Sequence, residues 1–198
     1  MISLSDIISH VRDREYMSGI TRDSARIKAT AEVFTPTKDV QRYLDLLPQE
    51  LFSDINENFL DYACGDGQFL SEALIRKLQS LGKEEITDIE FEQALSTIYG
   101  VDLMQDNVDE CRKRLLCGSK DPKHIAIVEQ NIYQADALKF SYRFEPMSKT
   151  RRDREAKARA KQQRLKLKQE KLAKLEEAKK KKEAHQKKLF GTILLETA

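Results

Sequence analysis

Apolar positions near the amino terminus recur at helical spacing. Leu4, Ile7, Ile8 and Val11 fall on one face, with Ser3 or Ser5 placed as a cap. A polar connection leads to AEVFTPTKDV (31–40), where Pro36 forces Thr35 to be extended and a helix restarts at Thr37, running toward Leu47 before Pro48. The stretch FLDYACGDGQFL (59–70) predicts a strand over 59–62, a glycine turn and a helix from about Gln68. Leu70, Leu74, Leu78 and Leu81 form the buried stripe of that helix, and Gly82 is its C-cap. Thr87 and Glu90 have capping-box spacing, which predicts a short helix. STIYGVDL (96–103) then predicts a second strand ending at Asp102. In the helix that follows, Asp106, Asp109 and Glu110 come early and Arg112, Lys113 and Arg114 late, complementing the helix dipole, and Gly118 closes it. A third strand is expected within IVEQNIYQADAL (127–138), with Asp136 at its carboxyl end.

The order helix, β, α, β, α, β predicts an α/β fold with a doubly wound half-sheet. Right-handed crossovers would make the three strands parallel neighbours. Asp61, Asp102 and Asp136 then gather at or just past the strand carboxyl ends, where such sheets bind ligands.

Beyond Phe144 the pattern changes. Residues 149–188 contain no Gly and no Pro, and every residue type there favours helix. Leu165, Leu172 and Leu175 fit part of a heptad, but lysines fill most other seam positions, so a stable coiled coil is not expected. Thr192 to Leu195 read as a short strand or a docking peg. The domains expected are therefore 1–147, the helical arm 148–190 and a terminal segment 191–198.

Charge sharpens that division. The 198-residue chain carries a formal net charge of +2, yet residues 1–148 hold 17 Lys+Arg against 26 Asp+Glu, and residues 149–188 hold 18 against 6. An acidic body is joined to a basic arm. The arm either contacts nucleic-acid phosphates without sequence preference or serves as a solvated spacer or protein mount. It has no aromatic residue before Phe190, so base stacking is not expected from it. Cys64, Cys111 and Cys117 have no metal-ligand spacing, and reduced thiols in a cytoplasmic protein are expected. No apolar run approaches the ~20 residues of a membrane span. His10, His124 and His185 are scattered, and no metal site is expected.

Several residues carry candidate chemistry. Gly65 and Gly67 permit a sharp turn and close ligand approach, and the helix from Gln68 directs N–H groups to the same place; the alternative is a purely structural turn. Asp66 argues against a pyrophosphate and for tolerance of an ammonium group. Asp102 can accept both hydroxyls of a ribose or else cap the next helix, and Asp136 can accept from an adenine amino group or act as a cap.

Four motifs in one order, AEVFTPTKDV, FLDYACGDGQFL, YGVDLMQDNVDECRKRL and NIYQADAL, resemble the S-adenosylmethionine-binding half of amino-methylating DNA methyltransferases. The adenine-N6 class of restriction–modification systems is the group they resemble, and the resemblance covers about residues 30–140. It implies a truncated Rossmann-like class I methyltransferase half-sheet and a cofactor, S-adenosyl-L-methionine. It further implies that Phe34 and Thr35 line the pocket with Pro36 fixing the turn. Asp61, Ala63, Gly65 and Gly67 would surround the methionine part, Asp102 would take the ribose hydroxyls and Asp136 the adenine amino group, with Leu103 and Ala137 also binding the cofactor. Ala31 stands where the family often has glycine.

One departure is serious. These enzymes carry an Asn or Asp, two prolines and an aromatic residue after the fourth strand, to hold a flipped base. The four prolines, at 36, 48, 122 and 146, are never adjacent, and Glu145-Pro146-Met147 lacks the Asn, the second proline and the aromatic. No catalytic residue is assigned. Two functions are expected: a DNA adenine methyltransferase-like chain whose methyl transfer needs a complementing subunit, or a non-catalytic module that binds nucleic acid or a protein through its basic helix. A three-strand sheet would also leave an edge open, to be covered by residues 192–195 folding back or by a partner.

Overall fold

The computed structural model describes residues 2–13, 27, 32 and 35–196, with side chains as far as Lys181. The elements run β1 (Ile2–Ser3), α1 (Leu4–Arg12), α2 (Thr37–Leu44), α3 (Glu50–Ser53), β2 (Phe59–Asp61), α4 (Gln68–Gln79), β3 (Glu85–Ile86), α5 (Asp88–Ser96), β4 (Ile98–Asp102), α6 (Gln105–Leu116), α7 (Pro122–Asn131), β5 (Ile132–Gln134) and α8 (Lys149–Glu196). The fold is mixed α/β. Two compact units divide the chain, Met1–Glu155 and Ala156–Ala198.

A three-stranded parallel sheet, ordered β2-β4-β5, is the centre of the first unit. The ladder continues past the strands, because Cys64 N–H donates to the Val101 carbonyl (3.0 Å) and Ala135 N–H to that of Asp102 (2.9 Å). Strand residues alternate between faces. Ile98, Gly100 and Ile132 face the helices, and all three are buried. Gly100 is required there: an added Cβ would stand 2.7 Å from Leu70 Cδ1 and 3.0 Å from Cys64 Sγ. On the opposite face, Phe144 lies 4.7 Å from the Tyr99 ring and Phe140 lies 5.0 Å from that of Tyr133. Leu60 and Tyr62 are exposed.

The leucine stripe of α4 is buried as its spacing predicts, with Leu70, Leu74 and Leu78 at 0 % exposure. The Thr87–Glu90 capping box forms; the hydrogen bond from Lys83, then those from Thr87, push the Glu90 pKa down to about 2. At α1 neither serine caps the first turn alone. Instead Glu84 accepts from Ser5 N–H (2.7 Å) and Ser3 Oγ (2.8 Å), beside the antiparallel β1–β3 pair. Residues 127–131 are helical, not part of the third strand. Asp121 caps α7 by accepting from Lys123 N–H, Pro122 occupies the first turn, and His124, Val128 and Asn131 make its buried face.

Charged side chains contribute much of the interior. Lys77, at 0 % exposure, donates to the carbonyls of Asp54 and Glu57, and burial lowers its pKa. Arg12 forms a fork on the buried Glu72 carboxylate (2.6 and 3.1 Å), tying α1 to α4. At the start of α8, Glu155 accepts from Arg112 (2.8 and 3.1 Å) and Arg151 (3.1 Å), all three buried. Both guanidiniums also donate to the Ile132 carbonyl, at 2.6 and 2.9 Å, and Arg151 stacks 3.2 Å over the Tyr133 ring. Ala135 N–H points at β4, so alternation turns the Ile132 carbonyl outward. Those two arginines therefore occupy the outer edge of β5.

In the second unit α8 is one helix, with Leu165, Leu167, Leu172 and Leu175 each more than half exposed. The helix includes Thr192 to Leu195, so that segment is not the short strand expected, and the fold-back strand is withdrawn with it. Among the described residues no helix is long and apolar enough to cross a membrane.

Candidate functional site

The parallel register brings the carboxyl ends of β2 and β4 together, with Asp61 opposite Gly100 and Asp102 two residues further on. Between them the turn after β2 passes through Gly65 (φ +53°) and Gly67 (φ +87°), and α4 begins directly after Gly67. The two glycines do different work. An added Cβ at Gly65 meets nothing within 4 Å, so that face of the turn is open, whereas at Gly67 it would stand 2.7 Å from Cys111 Sγ. Gly65 is needed for its backbone angle and Gly67 also for space against α6.

Asp102 is the hub of the site. One carboxylate oxygen accepts from Gly65 N–H (3.0 Å), and the other from Met104 N–H (2.8 Å) and the Asn107 amide (3.0 Å). It thus ties the glycine turn to the loop before α6, but the N-cap of α6 is Met104, which no side chain caps, so the capping role expected as an alternative is not formed. Three of its roughly four acceptor positions are used, and one remains for a ligand. Asn107 also donates to Glu32 at 2.6 Å, which brings a further acid to the site. Asp61 accepts from Ala63 N–H at 3.0 Å.

Burial is the main cause that raises both aspartates. At Asp61 the Ala63 N–H opposes the shift and the Asp102 charge adds to it. At Asp102 the bonds from Met104, Asn107 and Gly65 oppose it and Glu32 adds to it. A carboxyl whose pKa is raised on folding favours the fold below its unfolded value and loses that contribution as pH rises through the raised value. At neutral pH the pair weighs against the fold, and hydrogen bonds donated by a ligand would relieve it.

Asp66 is corrected. It does not line the open side of the turn but is buried in an ion pair with Arg114 (2.8 Å), whose Nε donates to the Asp66 carbonyl (3.0 Å). Its charge is answered from α6, so its case against a pyrophosphate falls. That case passes to Asp61, Asp102 and Glu32. Arg114, expected to complement the dipole at the end of α6, also donates to the Val11 carbonyl and supports the turn from beneath. Cys64 and Cys111 fill the same region. A hydrogen bond that the Cys64 thiol makes to Cys111, then burial, raises the Cys64 pKa well above the ordinary range, so it is a packed thiol, not a nucleophile.

The remaining expected residues are less concentrated. Asp136 follows β5, but its half-exposed carboxylate accepts from Leu138 N–H (3.1 Å) and pairs with Lys139 (3.1 Å), which lowers its pKa. The Ala137 carbonyl accepts from the Tyr142 hydroxyl, and the Leu103 carbonyl from the Gln134 amide. Ala63 and Leu103 are exposed beside the turn. Thr35 and Pro36 precede α2, and the Pro36 carbonyl accepts its first N–H groups; Phe34 lies outside the described residues. The Glu145 backbone is held by the Tyr133 hydroxyl and Arg151, so it anchors α8.

A cleft of about 510 Å³ lies elsewhere, between α1, α2, α3 and α4, lined by Arg12, Gln41, Asp45, Phe52, Glu72 and Arg76. Its charges answer one another, Arg12 with Glu72 and Arg76 with Asp45 (2.7 Å). The strand-end site, with underused acids beside an open glycine turn, is the better ligand candidate. No protein-family model, no curated protein and no solved structure matches the chain.

Proposed function

We propose that the chain is the S-adenosylmethionine-binding half of a DNA adenine-N6 methyltransferase-like protein with a Rossmann-like fold, and that methyl transfer needs a second polypeptide. The observation that supports this is the gathering of Asp61, Asp102 and Glu32 around the Gly65–Gly67 turn at the ends of parallel strands. Such a site suits a ligand bearing cationic centres and ribose hydroxyls, and it disfavours a nucleotide's phosphates. Asp136 and Ala137 would take the adenine by closing over it from β5, and Leu103 would pack on the ribose. Edge asymmetry supports the complementing subunit. β5 is capped by Arg112 and Arg151, while β2 is the other edge strand and carries no such plug among the described residues.

Calorimetry of the full chain with S-adenosylmethionine should give saturable binding, with no methyl passed to adenine-containing DNA by the chain alone. Asp102→Asn should weaken binding about 10-fold or more, since a hydrogen bond to a charged group contributes about 1.5–3 kcal/mol. Absence of heat at high protein concentration would sink the cofactor claim. Unchanged affinity in a folded Asp102→Asn chain would leave Asp102 as a brace between the glycine turn and the loop before α6.

A second reading, a non-catalytic module that binds nucleic acid, rests on the basic and solvent-exposed part of α8. It predicts duplex binding that falls steeply with salt and disappears when residues 156–198 are removed. Salt-independent binding, or none, would dismiss it.

A further inference from the structure

Away from the strand ends, the fold assembles a group that no linear spacing announces. Glu92 from α5, Asp121 at the N-cap of α7 and His124 in its first turn each offer a ligand atom, and these atoms lie within 4.8 Å of one another. His124 is only 1 % exposed, and its Nε2 makes no hydrogen bond. That nitrogen stands 3.9 Å from Glu92 Oε1, beyond hydrogen-bonding reach. A buried ring nitrogen left without a partner is uncommon and points to a missing ligand.

The surroundings fix the imidazole. Its Nδ1 is 2.7 Å from Ser119 Oγ, which also accepts from Asp121 N–H at 3.2 Å. With Nδ1–H donating to that oxygen, Nε2 presents a lone pair toward Glu92, as in histidines oriented for metal binding. Phe91 packs edge-on against the ring with centroids 5.0 Å apart. Asp121 uses one oxygen to cap α7 and keeps the second available. The cation now near Glu92 is the Lys123 ammonium at 3.5 Å, on a side chain 74 % exposed and able to swing away.

We propose that Glu92, Asp121 and His124 bind a divalent transition cation, with Zn²⁺ the best match to one imidazole and two carboxylates, and with water completing the coordination. Ligand atoms at about 2.0–2.2 Å from a tetrahedral zinc are roughly 3.4 Å apart, so the three groups close by about an ångström on binding. Glu92, only half-buried, can make that movement. The ion clasps α5 to the start of α7 and stabilises the folded chain.

The test is titration of the full chain with Co²⁺ followed by visible absorption, together with melting in Zn²⁺ before and after chelation. Saturable d–d bands without a thiolate charge-transfer band, and a melting temperature raised by Zn²⁺ and restored by chelator, are expected. Glu92→Gln and Asp121→Asn, which keep shape and the cap acceptor, should each weaken cobalt binding about 10-fold or more. The site is overturned if cobalt gives no saturable spectrum, or if both variants bind as the parent does. A thiolate band that disappears in Cys117→Ser would likewise overturn it by assigning the metal to cysteine.

Discussion

The Glu155→Ala chain is expected to lose about 3–5 kcal/mol of stability, the cost of breaking a buried ion pair from one side. Glu155 accepts a fork from Arg112 and a single bond from Arg151, and all three side chains are buried. Without it both buried guanidiniums lose that carboxylate: Arg112 is left to share the Ile132 carbonyl with Arg151, which also keeps the Glu145 carbonyl. Glu155→Gln keeps an acceptor and the volume, so a smaller loss is expected. The chain has no tryptophan. Near-ultraviolet circular dichroism of Tyr99 and Tyr133, packed with Phe144, therefore reports on the first unit in a urea titration. A midpoint unchanged from the parent would mean that the start of α8 is solvated, not part of the core.

Gly67→Ala is the second large effect, at about 2–5 kcal/mol. A left-handed backbone costs a residue with Cβ roughly 1–2 kcal/mol, and forcing atoms into a packed site adds about 1–3 kcal/mol. The new methyl would lie 2.7 Å from Cys111 Sγ and 3.2 Å from Cys111 Cα, and the second of these is backbone that cannot rotate away. Gly65→Ala meets no atom and should cost only the conformational share. The double variant Gly67→Ala with Cys111→Ala should recover part of the loss by removing the sulfur overlap. If both single glycine variants have the same urea midpoint, the distinction between an open turn and a packed one is wrong.

The sequence made the frame legible wherever periodicity was sustained. Twelve residues of α4 and twelve of α6 are long enough to show a stripe, and the Thr87–Glu90 box marks α5 through local hydrogen bonding alone. β1 and β3, at two residues each, are too short to alternate. α7 was obscured because its apolar run adjoins β5, although Asp121-Pro122 is a start signal. At the site, Gly65, Gly67, Asp61 and Asp102 could be placed from strand ends and turn chemistry. The partners that decide what those residues do could not. Asp66 and Arg114 are 48 positions apart, and Arg112 and Glu155 are 43 apart. Burial of a charge depends on whether such a distant partner arrives, and helix-dipole reasoning explains where Arg112 and Arg114 sit in α6 but not what they pair with. His124 was passed over for the same reason, since Glu92 reaches it only through packing of α5 on α7.

The unequal edges of the sheet set a limit on how the protein can meet itself. Fibres that grow by strand addition need two sticky margins on every subunit, so that each newcomer leaves another place to join. Here one margin is stoppered by Arg112 and Arg151 on the Ile132 carbonyl, and among the described residues only β2 is left to receive a strand. Two copies meeting there must do so β2 to β2, related by a twofold axis, and that contact is closed as soon as it forms. Strand-mediated self-association through this sheet therefore terminates at a pair.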